Sequence, residues 1–116
     1  MPDLFGSIEM DAERVDVVIV GGGLAGCLTA LRITALQPDL SLLLIEAGAA
    51  LGGNHTWSFF ETDVSPEARD WLEPLIAYRW PSYDVRFPKL TRTIETGYRS
   101  VTSEQLASVV ADRLGT

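Results

Sequence analysis

Residues 15–26 read VDVVIVGGGLAG, and this stretch decides the fold of the chain. The apolar, mostly β-branched run before the glycines predicts a parallel strand that is buried on both faces. Gly21 permits a tight turn out of that strand, Gly23 lets the backbone approach a pyrophosphate, and Gly26 lets a helix pack closely on the sheet. The spacing therefore predicts a nucleotide-binding turn between a strand and a helix.

A second apolar run, from Leu40 to Ile45, ends in Glu46, which follows Gly26 by twenty residues. The N-terminus of the intervening helix directs N–H groups and a positive dipole end at a diphosphate. Glu46 is placed to accept hydrogen bonds from ribose hydroxyls, and its negative charge disfavours a 2′-phosphate. We therefore expect FAD or NAD rather than NADP.

The helix between these runs is predicted from Leu24 to Leu36, with Pro38 ending it. Its apolar stripe consists of Leu28, Leu31, Ala35 and Leu36. Strand, helix and strand make one βαβ unit, so the predicted class is α/β with a Rossmann-type fold.

The composition limits the range of functions. The chain has 116 residues, 47% of them hydrophobic, and a formal charge of −7 without a basic cluster, which argues against nucleic acid as a partner. Acidic residues precede the first apolar run, so we expect no signal peptide, and no stretch is long enough for a transmembrane helix. One histidine and one cysteine do not make a metal site. The expected location is cytoplasmic.

The lone cysteine, Cys27, lies in the first turn of the predicted helix, where a helix N-terminus can lower the pKa of a thiol. We nevertheless expect a packing role for it rather than a redox role.

The rest of the chain is predicted as shorter elements. Residues 1–13 read as a flexible acidic leader, and residues 14–116 as the N-terminal part of a binding domain. Residues 52–60 are predicted as a loop rich in glycine and aromatic residues, and Trp71 and Trp80 as core residues. A short helix is predicted to begin at Ser65 and Pro66 and to kink at Pro74.

A small antiparallel hairpin is predicted around Pro88 and Lys89, followed by a last helix. Thr102 and Gln105 form a capping-box pattern for that helix, whose apolar stripe is Leu106, Val109, Val110 and Leu114. The chain ends at Thr116, where a doubly wound domain has its third parallel strand, so we expect a truncated sequence, the front of a longer protein.

Glu46 followed by the pair Gly52-Gly53 favours a glutathione-reductase-like flavoprotein over a plain NAD dehydrogenase. Residues 16 to about 114 closely resemble the N-terminal part of bacterial lycopene beta-cyclases. The resemblance is carried by the blocks GGNHTWSF at residues 52–59, RWP at 79–81, FP at 87–88, GY at 97–98 and SVTSE at 100–104. Phe60 departs from the family, since relatives carry a histidine there.

The resemblance implies an enzyme of carotenoid biosynthesis that closes the ψ-ends of lycopene into β-rings, giving β-carotene by way of γ-carotene without net redox change. It implies FAD, reduced by NAD(P)H, as cofactor, lycopene as substrate and peripheral contact with a membrane. It also implies a catalytic acid beyond Thr116, so no catalytic residue is expected in this segment. The alternatives are another FAD-dependent oxidoreductase, such as a carotenoid desaturase or amine oxidase, and a non-catalytic dinucleotide-binding module.

Two groups of candidate site residues follow. The cofactor-binding candidates are Gly21, Gly22, Gly23, Leu24, Ala25, Gly26, Glu46, Gly52 and Gly53. The candidates for contact with flavin or substrate are Asn54, His55, Trp57 and Phe59. Three of these four have a plainer alternative, since His55 can be an ordinary loop residue and the side chains of Trp57 and Phe59 can pack in the core.

Overall fold

The computed structural model describes residues 14–115, so the leader predicted for residues 1–13 lies outside the described residues. The helices in this part are α1 (Leu24–Leu36), α2 (Pro66–Leu72) and α3 (Ser103–Leu114). The strands are β1 (Val17–Val20), β2 (Leu42–Ile45), β3 (Thr56–Phe60), β4 (Tyr78–Trp80), β5 (Tyr83–Phe87), β6 (Leu90–Ile94) and β7 (Tyr98–Thr102). The mixed α/β class predicted from the sequence is confirmed.

Strands β1 and β2 pair in parallel, with Val17 opposite Leu42 and Val20 opposite Ile45. The predicted order of strand, helix and strand is observed, and α1 has the predicted bounds. The expected burial on both faces is wrong for the described residues, because α1 covers only the face that carries Ile19 and Leu44. On the other face Val18 and Val20 are 52% and 81% exposed.

The buried side of α1 differs from the predicted stripe. Cys27 and Ala30 are fully buried, whereas Ala35 and Leu36 are exposed. Leu28 and Leu31 do pack against the core, as predicted. Cys27 belongs to the same core cluster as Leu106 and Val110 of α3, which is in contact with α1.

Strands β3, β7 and β4 form an antiparallel sheet that the sequence did not predict. Thr56 pairs with Thr102 and Phe60 with Tyr98, so the predicted loop becomes a strand from Thr56 onward. On the other side of β7, Trp80 pairs with Tyr98. The loop prediction was wrong because backbone pairing with a distant strand overrides the local composition.

Strand β4 lies at the edge of this sheet, which leaves Trp80 44% exposed and corrects its predicted place in the core. Trp71 is half-buried, with the Arg32 guanidinium carbon 5.2 Å from its ring centre. The core itself comprises Cys27, Leu75, Val101, Leu106 and Val110.

Most of the remaining local predictions are confirmed, but the capping box predicted for the last helix is only half formed. Strands β5 and β6 form the hairpin around Pro88 and Lys89. The Ser65 hydroxyl caps α2 by accepting a hydrogen bond from the Ala68 N–H at 3.1 Å, and a short 3-10 turn at Glu73–Leu75 follows the helix. The Thr102 hydroxyl caps α3, whereas the Gln105 side chain donates to the Pro74 carbonyl oxygen instead of closing the capping box. None of the helices within residues 14–115 is long and apolar enough to cross a bilayer.

Candidate functional site

The glycine-rich turn connects β1 to α1 at the carboxyl ends of the two parallel strands. Gly21 has a φ of +106°, a conformation that side chains disfavour, and its N–H donates to the Ile45 carbonyl oxygen at 2.7 Å. Gly23 precedes the helix in an extended conformation, and neither a capping side chain nor an acidic residue occupies the first turn. The N–H groups at this helix end are therefore suited to an anion.

The glycines differ in what an added Cβ atom would contact. A Cβ at Gly26 overlaps the Gly21 carbonyl oxygen, so helix and turn can meet only without one. A Cβ at Gly23 meets no atom within 4 Å. The space beside Gly23 is thus open, as the close approach of a diphosphate requires.

Glu46 follows β2, and its side chain is hydrogen-bonded to the glycine turn. Its Oε1 accepts a hydrogen bond from the Gly22 N–H at 3.1 Å, and its Oε2 accepts one from the Gly48 N–H at 3.2 Å. Each carboxylate oxygen retains capacity for a second hydrogen bond. The structure therefore brings the acidic residue and the glycine turn together, with the carboxylate held in one orientation.

The pair Gly52-Gly53 is joined to the glycine turn by a main-chain hydrogen bond. The Gly52 N–H donates to the Gly22 carbonyl oxygen at 2.6 Å, and the Cys27 thiol lies 3.4 Å from the same oxygen. Gly52 and Gly53 have φ values of +78° and +65°, a region that favours glycine. Gly52 thus supports the turn through its backbone.

Burial raises the pKa of the Cys27 thiol above its ordinary value, and the nearby Glu46 carboxylate raises it further. Desolvation and a neighbouring negative charge both favour the neutral thiol. The structure thus supports the packing role expected for Cys27.

Asn54 and His55 are exposed on the segment that follows Gly53. The imidazole ring of His55 lies 5.7 Å from the ring of Trp57, measured between centres. The main chain of His55 is bound on both sides by Ser103, whose N–H donates to the His55 carbonyl oxygen at 2.9 Å. The His55 N–H in turn donates to the Ser103 hydroxyl at 3.3 Å.

Trp57 and Phe59 are half-buried on the face of β3 that packs against the core. They line a cavity of about 180 Å³ whose other walls are all apolar: Leu24, Leu28, Val64, Leu72, Leu75 and Val101. Among the cofactor candidates, Leu24 therefore faces the core, whereas Ala25 is exposed. Contact of Trp57 and Phe59 with flavin or substrate stays a prediction.

Sequence reasoning missed Ser103 and Gly48 as partners of the site. Gly48 follows Glu46 by only two residues, so its bond to the Glu46 carboxylate is local in the sequence. Ser103 lies 48 residues after His55. No local pattern indicates a contact over that separation.

Residues 16–116 match the profile of a protein family described as Lycopene cyclase protein. The lycopene beta-cyclase of Pseudescherichia vulneris is 52% identical over 100 residues, and that of Pantoea ananas is 44% identical over 100 residues. Each alignment covers 86% of this chain and 26% of the relative, so the chain spans about a quarter of the length of these curated relatives. The putative FAD-containing monooxygenase MymA of Mycobacterium tuberculosis is 44% identical over 48 residues, 41% of this chain and 9% of that protein.

Proposed function

The chain belongs to the lycopene cyclase protein family, and we propose that it forms the nucleotide-binding part of a lycopene beta-cyclase. That enzyme closes the ψ-ends of lycopene into β-rings and yields β-carotene by way of γ-carotene. The observation that carries the proposal is the hydrogen bond between Glu46 and the Gly22 N–H, which joins the acidic residue to an open glycine turn. The identity of 52% to the Pseudescherichia vulneris enzyme supports the assignment of this turn to a cyclase.

We propose FAD as the nucleotide, held in a Rossmann-type fold. The open space beside Gly23 and the uncapped first turn of α1 fit a diphosphate, and the Glu46 carboxylate fits two ribose hydroxyls. The likeness to a protein described as FAD-containing supports a flavin. When bound in the reduced state, supplied by NAD(P)H, the flavin ring offers an electron-rich surface that stabilises positive charge.

The residues of this chain bind and orient rather than transfer protons. Glu46 accepts hydrogen bonds and carries a negative charge, so it selects a free ribose against a 2′-phosphate. The N–H groups of the first turn of α1 hold the diphosphate. We propose that Asn54 and His55, exposed after Gly53, lie toward the flavin, and that the acid protonating lycopene comes from outside this chain.

A second candidate is a flavin-dependent oxidoreductase, which the likeness to MymA over 48 residues favours. Desaturases and amine oxidases normally carry an arginine after the Gly-Gly pair, whereas this chain has Asn54. Both enzyme classes share the glycine turn, so the reaction catalysed by the protein is the measurement that decides between them.

The test is expression of the full-length gene product in lycopene-accumulating bacteria, with extraction of carotenoids and of the bound cofactor. We expect β-carotene and FAD. A protein that carries FAD but leaves lycopene unchanged supports the oxidoreductase, and one without flavin contradicts the nucleotide assignment. A matched experiment replaces the aligned segment of the Pseudescherichia vulneris enzyme with residues 16–115 of this chain, and retained cyclisation is expected.

A further inference from the structure

We infer that Ser103 is a positioning residue of the nucleotide site, although it lies on a helix outside the glycine turn. The inference rests on the proposed function. Ser103 fixes the segment from Gly52 to His55, and this segment fixes the glycine turn through Gly22. Ser103 touches no nucleotide in this scheme.

The first support is a reciprocal pair of hydrogen bonds. Ser103 donates its N–H to the His55 carbonyl oxygen at 2.9 Å and accepts the His55 N–H on its hydroxyl at 3.3 Å. Ser103 is only 4% exposed, so water competes little for either bond. Both polar main-chain groups of His55 are thereby bound to one residue.

The second support is the close approach of Gly52 to Ser103. A Cβ built on Gly52 lies 3.2 Å from the Ser103 Cβ and 3.4 Å from its Cα and carbonyl oxygen. Gly52 therefore rests against the first residue of α3. From the other side its N–H reaches the Gly22 carbonyl oxygen at 2.6 Å, which completes a continuous path from Ser103 to the glycine turn.

Helix α3 and the segment from Gly53 to His55 differ in how firmly the rest of the protein holds them, and this difference indicates which one positions the other. Helix α3 is anchored in the core by Leu106 and Val110, which are fully buried, and its N-terminus is capped by Thr102. The segment from Gly53 to His55 is exposed and belongs to no helix or strand. The anchored helix therefore positions the segment, and the segment depends on the Ser103 hydroxyl.

The test compares Ser103→Thr with Ser103→Val in the full-length protein, because these side chains have nearly the same shape and differ in the hydroxyl. Ser103→Ala is made alongside, since it adds no atoms to the buried position. The readouts are FAD affinity of the apoprotein, measured well below its unfolding temperature, and hydrogen exchange of the His55 amide. We expect Ser103→Thr to retain affinity, and the other two variants to bind FAD about tenfold more weakly with faster exchange at His55.

Ser100→Ala is the matched control. Ser100 is also 4% exposed, but its hydroxyl pairs with that of Ser58 at 2.7 Å in the antiparallel sheet. This variant is expected to lose stability while its FAD affinity stays unchanged. Equal FAD affinities in the three Ser103 variants, or an equal loss in Ser100→Ala, overturn the inference. If the unaltered protein binds no FAD, the proposed function fails, and unchanged exchange at His55 then refutes the role of Ser103 separately.

Discussion

The N–H of Gly52 lies 2.6 Å from the carbonyl oxygen of Gly22, so the turn that follows β2 is hydrogen-bonded to the turn that follows β1. The Gly22 N–H is engaged as well, because it donates to Glu46 at 3.1 Å. With both polar groups of Gly22 satisfied inside the protein, its conformation is set without a ligand. Such preorganisation lowers the entropic cost of binding a nucleotide.

Gly23, which immediately precedes α1, and Gly26, in the first turn of α1, should respond differently to substitution. We predict that Gly23→Val folds but retains no FAD, because its side chain enters the open space beside Gly23, where we propose that the diphosphate lies. Gly26→Ala should fail to fold or lose several kcal/mol of stability, since its Cβ overlaps the Gly21 carbonyl oxygen. Flavin absorbance and thermal unfolding of the two full-length variants measure the difference.

Gly23→Ala serves as the control for this pair, because a single methyl group meets no protein atom there. It should unfold at nearly the same temperature as the unaltered protein. A Gly23→Val variant that purifies with a full complement of FAD means that the diphosphate does not approach Gly23.

Glu46→Gln should weaken FAD binding by at least about tenfold, because the uncharged amide binds ribose hydroxyls less strongly. Its amide nitrogen also cannot accept the hydrogen bond that Oε2 now receives from Gly48. Titration of the apoprotein with FAD measures the loss. Asp84→Asn, which alters a carboxylate on the β5–β6 hairpin, is the matched control and should leave the affinity unchanged.

We expect His55→Ala to lower the activity of the protein and Trp57→Ala to lower its stability. His55 is exposed, so its replacement should shift the unfolding temperature by only a few degrees. Trp57 packs against the core and lines the apolar cavity, so its replacement should cost about 2–4 kcal/mol of stability. We predict that lycopene turnover falls about tenfold or more in His55→Ala, equivalent to about 1.4 kcal/mol of transition-state stabilisation.

Full specific activity of His55→Ala in the carotenoid assay contradicts a role of its side chain in the site. Comparison with Phe87→Ala provides a control, since Phe87 is an exposed aromatic residue on the hairpin.

Cys27 should resist alkylation in the folded protein. Burial and the Glu46 carboxylate raise the pKa of the thiol, so at pH 8 it stays protonated and out of reach. We expect iodoacetamide to react at least about a hundredfold more slowly than in urea, because modification requires opening of the structure. Mass spectrometry over time measures the rate, and rapid modification without denaturant rules out the packing described.

The raised pKa of the Cys27 thiol also determines how its contribution to stability changes with pH. Because the folded state holds the thiol proton more tightly than the unfolded state, Cys27 contributes less to stability as pH rises above the ordinary pKa of a thiol.

The part of the fold that the sequence predicts well is the part made by local interactions. Helix α1 has clear glycine and proline limits, and the cap of α2 at Ser65 is visible as a short polar pattern. The spacing also places Gly22 and Glu46 at the same end of neighbouring parallel strands, where they are hydrogen-bonded to each other. Their role in binding a nucleotide stays a prediction.

The antiparallel sheet was missed because its pairing is distant in sequence. Ser58 lies opposite Ser100, and no pattern inside Thr56–Phe60 indicates that partner. The exposure of Trp80 depends on which strand lies at the edge, which is a property of the assembled sheet. The role of Ser103 likewise arises only when α3 meets the segment around His55.

The hairpin of β5 and β6 is hydrogen-bonded only within itself among the described strands, and Phe87 and Leu90 beside its turn are 62% and 60% exposed. A short epitope inserted between Pro88 and Lys89 therefore breaks no pairing between this hairpin and another described strand. Such an internal label allows the protein to be purified and followed in living cells with both termini left native.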